Sequence, residues 1–489
     1  MKTKLKGRYV VGFDAAQKQH VVYENGELVF EDDRVLFAGK TYTEPVDKVI
    51  DATSCIISPG FVDVHALMDV GINALILDKG KGEGMYRPHE WVMDPDETPV
   101  FTPQEVKAGS EQTFLALLRS GATTFCGITA MVFKRWDDPV WEPEVHVETA
   151  MRYGLRAYIP HHYRTGARYV KPDGSDGWVW DEERGLRGLE RSVEFIKKFD
   201  GAFEGRIGSF LFPYTSDQSS VDLLNETRRQ ADELGVRIKM HFAQSLFEVE
   251  EIGAQHNGLT PVEFLDSLNF LGPDVMLTHC TYGRGHQGGP WVSDEELDIL
   301  AGRQVSVGHT PWIYSMRGGY LNSLTRYLNR GVNVCLGTDT HPNDMIREML
   351  IAAIMCKTAE GGDATAGTAR EVYNAATLNG ARFLGRDDLG RLAPGSKADI
   401  VAVDLERAAI GPHHDPIRSL VYFSSLADVK HVFVDGRHLV KDGAAAGIDE
   451  EEVIRRAQPV ADKLRGTMVG WDRQGRSEAE LYPTSFEIR

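Results

Sequence analysis

The chain has 489 residues, 42% hydrophobic and 26% charged, with a formal net charge of −18. That length suits one large domain plus an accessory module. Acidic residues spread along the whole chain argue against nucleic acid and anionic membrane as partners, and leave a small-molecule substrate open.

Residues 1 to 57 form short alternating pieces such as Tyr9-Val10-Val11 and His20-Val21-Val22-Tyr23, separated by turn signals such as Glu24-Asn25-Gly26. They predict a small β module. From Phe61 onward, strand-like runs end near His65, Thr129, Tyr163, Tyr214, His241, His279, His309 and Asp339. Helical patterns separate most of them, among them 103–120, 145–153, 186–199, 221–234, 261–268, 294–301 and 321–329. Strands alternating with helices imply a parallel sheet, and eight of them imply a (β/α)8 TIM barrel whose chemistry lies at the C-terminal strand ends. Two long connections, 78–102 and 170–185, read as lids, subunit contacts or solvated insertions. Near the far end, Gly390–Asp404 and Val429–Val440 return to the texture of the first module. The expected organisation is therefore a composite β-sandwich of residues 1–57 and 387–456, a barrel of 58–386, and a C-terminal extension of 457–489 suited to a subunit contact.

The start is basic but lacks an apolar signal core, and no run reaches the roughly 18 apolar residues of a membrane span. Five cysteines, an odd number without a CxxC pair, read as reduced thiols. A cytoplasmic protein is expected.

His241, His279, His309 and Asp339 each end a strand-like run, and the steps between them are 38, 30 and 30 residues. That spacing is about one strand–helix–strand unit, so the four side chains gather at one mouth. Neutral imidazoles and a carboxylate suit one divalent transition metal ion, zinc foremost, with iron, cobalt or manganese as alternatives. Asp339 is the expected general base, His241 a metal ligand, His279 a ligand or proton carrier, and His309 the group that polarises or protonates substrate.

The motifs Ser58-Pro-Gly-Phe-Val-Asp63-Val-His65, Lys239-Met-His241, Thr278-His279, Gly308-His309-Thr-Pro, Gly337-Thr-Asp339 and Gly395-Ser-Lys-Ala-Asp399 together resemble the amidohydrolase superfamily. Their order is similar to the branch of triazine hydrolases and cytosine-type deaminases, near hydrolases of molinate-type thiocarbamates and phenylureas. The resemblance implies the barrel, the metal, His65 as a further ligand, and a homo-oligomer. Two departures stand out. The family's first strand ends His-x-His, whereas here Leu67 follows His65-Ala66, so either His279 or another group such as His89 completes the site, or the metal is weaker or absent. Related deaminases carry His-x-x-Glu, whereas Gln244 here cannot titrate. This predicts hydrolysis of an amide, urea or carbamate-like C–N bond in a small, uncharged molecule. A deaminase or dehalogenase of a nitrogen heterocycle is the alternative, and an inactive binding protein the second. Gln244, Tyr163, Arg164, His309, Arg317, Trp312 and His89 are candidate substrate contacts. For His161, His162, Tyr163 and Arg164, clustered at the third strand's end, an internal ion pair is equally open; His341 reads as a surface loop histidine.

Overall fold

The computed structural model describes residues 1–69, 87–171, 173 and 175–488. Part of the long connection expected at 78–102 lies outside them.

The two ends of the chain build one nine-stranded sheet. The strand Ile400–Asp404 pairs antiparallel with Lys48–Pro59, setting Ile400 opposite Pro59 and Asp404 opposite Cys55. Leu5, Leu28, Phe30, Ile57, Ile400 and Phe433 pack together there. The ladder is continuous, because the first strand runs thirteen residues, Lys2–Asp14, and reaches three neighbours.

Between these ends, the architecture is mixed α/β. Phe61–Leu67, Ala122–Ile128, Arg156–Tyr158 and Ile207–Gly208 pair side by side in parallel. Ile238–Phe242, Val275–His279, Ser306–His309 and Asn333–Leu336 form a second parallel set. Single parallel bridges, Leu211 to Ile238 and Ala66 to Asp339, link the two sets at both edges. The strands read as near-continuous apolar runs because both faces are covered.

Helices between the strands start on local chemistry. Thr102 and Ser293 each form a reciprocal capping box with a glutamate three residues on, and Ser220 caps Val221–Leu234. The connection after the third strand holds a hairpin, Gly166–Val170 against Asp176–Trp180. On it Trp178 stacks on Trp180 and on Phe247, so alternating aromatics organise what reads as an insertion. Glu450–Trp471 is one helix, and the boundary expected at 456 falls inside it. Its Val460 packs on Ala108, and Trp471 meets Trp91 and Phe133, so Trp471 is spent within the chain while Phe486 is exposed. All five cysteines are free and buried. Among the described residues no helix is long and apolar enough to cross a membrane.

Candidate active site

Three imidazoles meet where the parallel strands end. His65 comes from Phe61–Leu67, His241 from Ile238–Phe242, and His279 closes Val275–His279. One ligand atom from each lies within 4.8 Å of the other two. Ring centroids are 4.8 Å apart for His65 and His241, 5.3 Å for His65 and His279, and 5.6 Å for His241 and His279. Asp339 joins from beyond the last strand, its Oδ2 3.7 Å from His279 Nε2. His309 ends the neighbouring strand, and its charge would oppose protonation of His279.

Local backbone chemistry sets these positions. Asp339 N donates to the His65 carbonyl at 2.6 Å, tying the first strand to the last. The buried Asp63 carboxylate accepts from His65 N at 2.9 Å, Thr338 N at 3.2 Å and Thr338 Oγ1 at 2.7 Å. A Cβ on Gly337 would sit 2.7 Å from the His65 Cβ, so only glycine lets the strands approach. His279 at φ 76° and Asp339 at φ 58° take the left-handed region, which few such residues occupy away from functional sites.

Burial dominates the electrostatics. It pushes His65 and His241 well below the usual imidazole range, and His279 and His309 to about 3. The rings are neutral and offer lone pairs. Burial pushes Asp339 up to about 6, against the opposing pull of Arg317 and Lys239. Lys239, itself buried without a hydrogen-bond partner, is lowered to about 8 by desolvation.

The donor set fits a divalent cation. Both ring nitrogens of His65 are buried with no hydrogen-bond partner. The Nδ1 atoms of His241 and His279 are engaged by Tyr214 O at 3.3 Å and Thr310 Oγ1 at 2.9 Å, which leaves each Nε2 for the centre.

The other candidates divide. Gln244 is half-buried beside the mouth; its backbone N–H donates to Glu248 Oε2 at 3.1 Å and its backbone carbonyl accepts from Tyr314 OH at 2.9 Å. Arg317 is close enough to hold down both Asp339 and His279. Trp312 is half-buried, with the Arg347 guanidinium 5.0 Å from its ring. His89 is exposed, its ring tilted against Tyr169 at 4.6 Å, and outside the three-imidazole cluster. Tyr163 turns the other way: its hydroxyl bonds Thr227 Oγ1 at 3.0 Å within the core. Arg164 is fully buried and clamps Arg135 O at 2.7 Å, Lys134 O at 2.7 Å and Gln218 Oε1 at 2.6 Å. The polar atoms of Tyr163 and Arg164 thus make their hydrogen bonds within the protein, the internal alternative to a substrate contact.

Several participants carry no motif. Tyr214 and Tyr314 flank His241 and His279 with centroids at 4.9 and 5.3 Å. His162, adjacent to Tyr163, faces inward and packs on Phe212, which packs on His241. The pair Asp137-Asp138 was the available signal for it, since Asp138 holds its ring.

Neutral imidazoles and a carboxylate at the C-terminal ends of parallel strands are the donor set of barrel-type hydrolases that activate water on a metal. The amidohydrolase family model matches residues 56–439. A 5'-deoxyadenosine deaminase of Methanothermobacter thermautotrophicus is 32% identical over 90% of this chain and 95% of its own. A 5-methylthioadenosine/S-adenosylhomocysteine deaminase of Thermococcus kodakarensis is 31% identical over 86% and 92%. Among solved structures, a zinc-bound adenosine deaminase from Xanthomonas campestris superposes with a TM-score of 0.73 at 22% identity, covering 95% of this chain and 98% of that one. Zinc-complexed atrazine chlorohydrolase from Arthrobacter aurescens gives 0.76 at 20% identity, covering 94% and 99%. The chain belongs to the amidohydrolase family and is a hydrolase of non-peptide C–N bonds.

Proposed function

We propose that this protein is a hydrolytic deaminase of an amino-substituted nitrogen heterocycle, of the aminopurine nucleoside kind. The observation that carries it is the long match to deoxyadenosine deaminases together with the three-imidazole cluster beside Asp339. It displaces the amide, urea or carbamate reading, which leaned on Gln244. Attack of water on a trigonal carbon bearing nitrogen needs the same apparatus in both cases.

The two edge bridges support closure of the eight parallel strands into a (β/α)8 barrel of residues 58–386, flanked by the composite sheet of 1–57 and 387–456. His65, His241, His279 and Asp339 would hold one divalent ion, zinc foremost. When bound, that ion supplies Lewis acidity. Asp339 then takes the proton of the attacking water at its carboxylate, and His309 hydrogen-bonds the substrate opposite. Tyr214 and Tyr314 wall the heterocycle, and Gln244 and Arg317 contact its edge. The buried, unpaired thiols support a cytoplasmic setting, and the exposed Phe486 and Ile488 support a homo-oligomer.

Ammonia release and the ultraviolet change on 5'-deoxyadenosine, methylthioadenosine and adenosine test the reading, beside aryl ureas and carbamates. Turnover of ureas or carbamates alone would reinstate the displaced reading, which Gln244 favours. Asp339→Asn should remain folded and lose activity by about 100-fold or more; full activity would remove Asp339 from its role.

A further inference from the structure

The strand ends after Val275 supply His279, His309 and Asp339, and His65 stands on the first strand with Leu67 offering no donor. On the arc of the second to fourth strands, one further imidazole faces inward. His162 is completely buried, and its Nε2 has no hydrogen-bond partner. Its other nitrogen is fixed. Nδ1 lies 2.8 Å from Asp138 Oδ2, the same oxygen that accepts from His162 N at 2.8 Å. Thr129 Oγ1 donates to the second oxygen of Asp138 at 2.7 Å and lies 3.1 Å from His162 Nδ1. Against the upward push of burial, His162 and Lys134 hold Asp138 well below the usual carboxylate range.

A carboxylate only accepts, so the proton shared with Asp138 sits on Nδ1, and the neutral form of the ring has its lone pair on Nε2. Burying such a lone pair without a donor is costly, and a site keeps one when a ligand pairs it. The ring packs 4.3 Å from Phe212, which packs 5.2 Å from His241, so His162 belongs to the same mouth. It stands outside the 4.8 Å cluster of His65, His241 and His279, yet near enough that its charge would oppose protonation of His65 and His241.

We propose that His162 Nε2 accepts a hydrogen bond from an N–H of the substrate, and so selects substrates carrying an amino group over halogen-bearing analogues. Asp138 is the positioning residue, fixing the ring and its tautomer. This rests on the deaminase reading above. An amino substituent can donate to the lone pair; a chloro substituent cannot, and leaves it buried and unpaired. The same contact gives the heterocycle an orientation in a pocket whose Gln244 carries no charge.

The experiment compares a 6-aminopurine nucleoside with its 6-chloro analogue, for the parent, His162→Phe and Asp138→Asn. kcat/KM is read on the zinc-loaded protein, and calorimetric binding on the metal-stripped protein. The parent should favour the amino compound. His162→Phe, which keeps the ring's bulk, should lower kcat/KM for it by about 100-fold and leave the chloro compound within a few-fold. Asp138→Asn, which permits the other tautomer, should show a smaller loss in the same direction. The binding preference should vanish in His162→Phe without metal or turnover. Equal losses on both compounds, or an unchanged ratio in both variants, would overturn the inference while leaving the deaminase reading intact. A parent inactive on both compounds would sink that reading, and this inference with it.

Discussion

Replacing Asp63 should damage the site without touching substrate. Its carboxylate holds two backbone N–H groups, those of His65 and Thr338, and the Thr338 hydroxyl, all out of water. Asp63→Ala orphans both amides, and each buried unpaired N–H costs about 1–3 kcal/mol. The carboxylate's own desolvation, which pushes its pKa up, offsets part of what it contributes. A net loss of roughly 2–4 kcal/mol follows. Asp63→Asn keeps one oxygen for the two amides but turns an N–H toward Thr338 Oγ1, which already accepts from Asn343 Nδ2 at 3.0 Å. The hydroxyl proton then loses its acceptor, at a cost of about 1 kcal/mol. Urea unfolding should rank the midpoints parent, Asp63→Asn, Asp63→Ala. The amides lie at His65 and immediately before Asp339, so kcat/KM for Asp63→Ala should fall by about 100-fold through misplacement alone. An Asp63→Ala protein with the parent's midpoint and turnover would refute the latch.

Arg164→Met should lower stability by roughly 3 kcal/mol or more, because three buried acceptors lose their donor. The KM of the folded fraction should stay within about twofold; a raised KM at unchanged thermal midpoint would return Arg164 to the substrate. Glu248 is pushed from 4.5 up to about 8 by burial and by the Asp217 carboxyl beside it. A carboxyl whose folded pKa is raised contributes stability that is present below about 4.5 and lost as pH rises through 8. The parent should therefore lose stability relative to Glu248→Gln between pH 5 and 9, read as the difference of their urea midpoints. A constant difference would show that Glu248 is ionised in the fold.

The legible parts of this chain were those where one residue's environment repeats along a strand. Ile238–Phe242 and Val275–His279 are five-residue buried strands, so a histidine at or next to the end of each stands out and points to the mouth. Asp339 was legible for the same reason, although its φ of 58° and its bond to the His65 carbonyl exist only once the first and last strands meet. The helix Val221–Leu234 was legible to the residue because Ser220 caps it and Gly235 takes the left-handed conformation that ends it.

Which side chains of the third strand's last segment face the mouth was not legible, and the segment's length is the reason. His162–Tyr163 is a two-residue strand paired with Phe212–Pro213, equally short. Alternation needs a longer run before it can say which neighbour faces in. Reading the cluster as one group leaves a substrate contact and an internal ion pair equally open for Tyr163 and Arg164, whereas the chain turns Tyr163 to Thr227 and buries Arg164 among carbonyls. The inward residue is the one between His161 and Tyr163. What marks it is a carboxylate 24 residues earlier, Asp138, brought to its Nδ1 by the turn after the second strand. No local pattern encodes that pairing. The same separation explains Gln244. By sequence it removes a titrating group and points away from heterocycles, but the fold sets a buried Asp–His pair on the same mouth, so the hydrogen bond a deaminase needs can come from another strand.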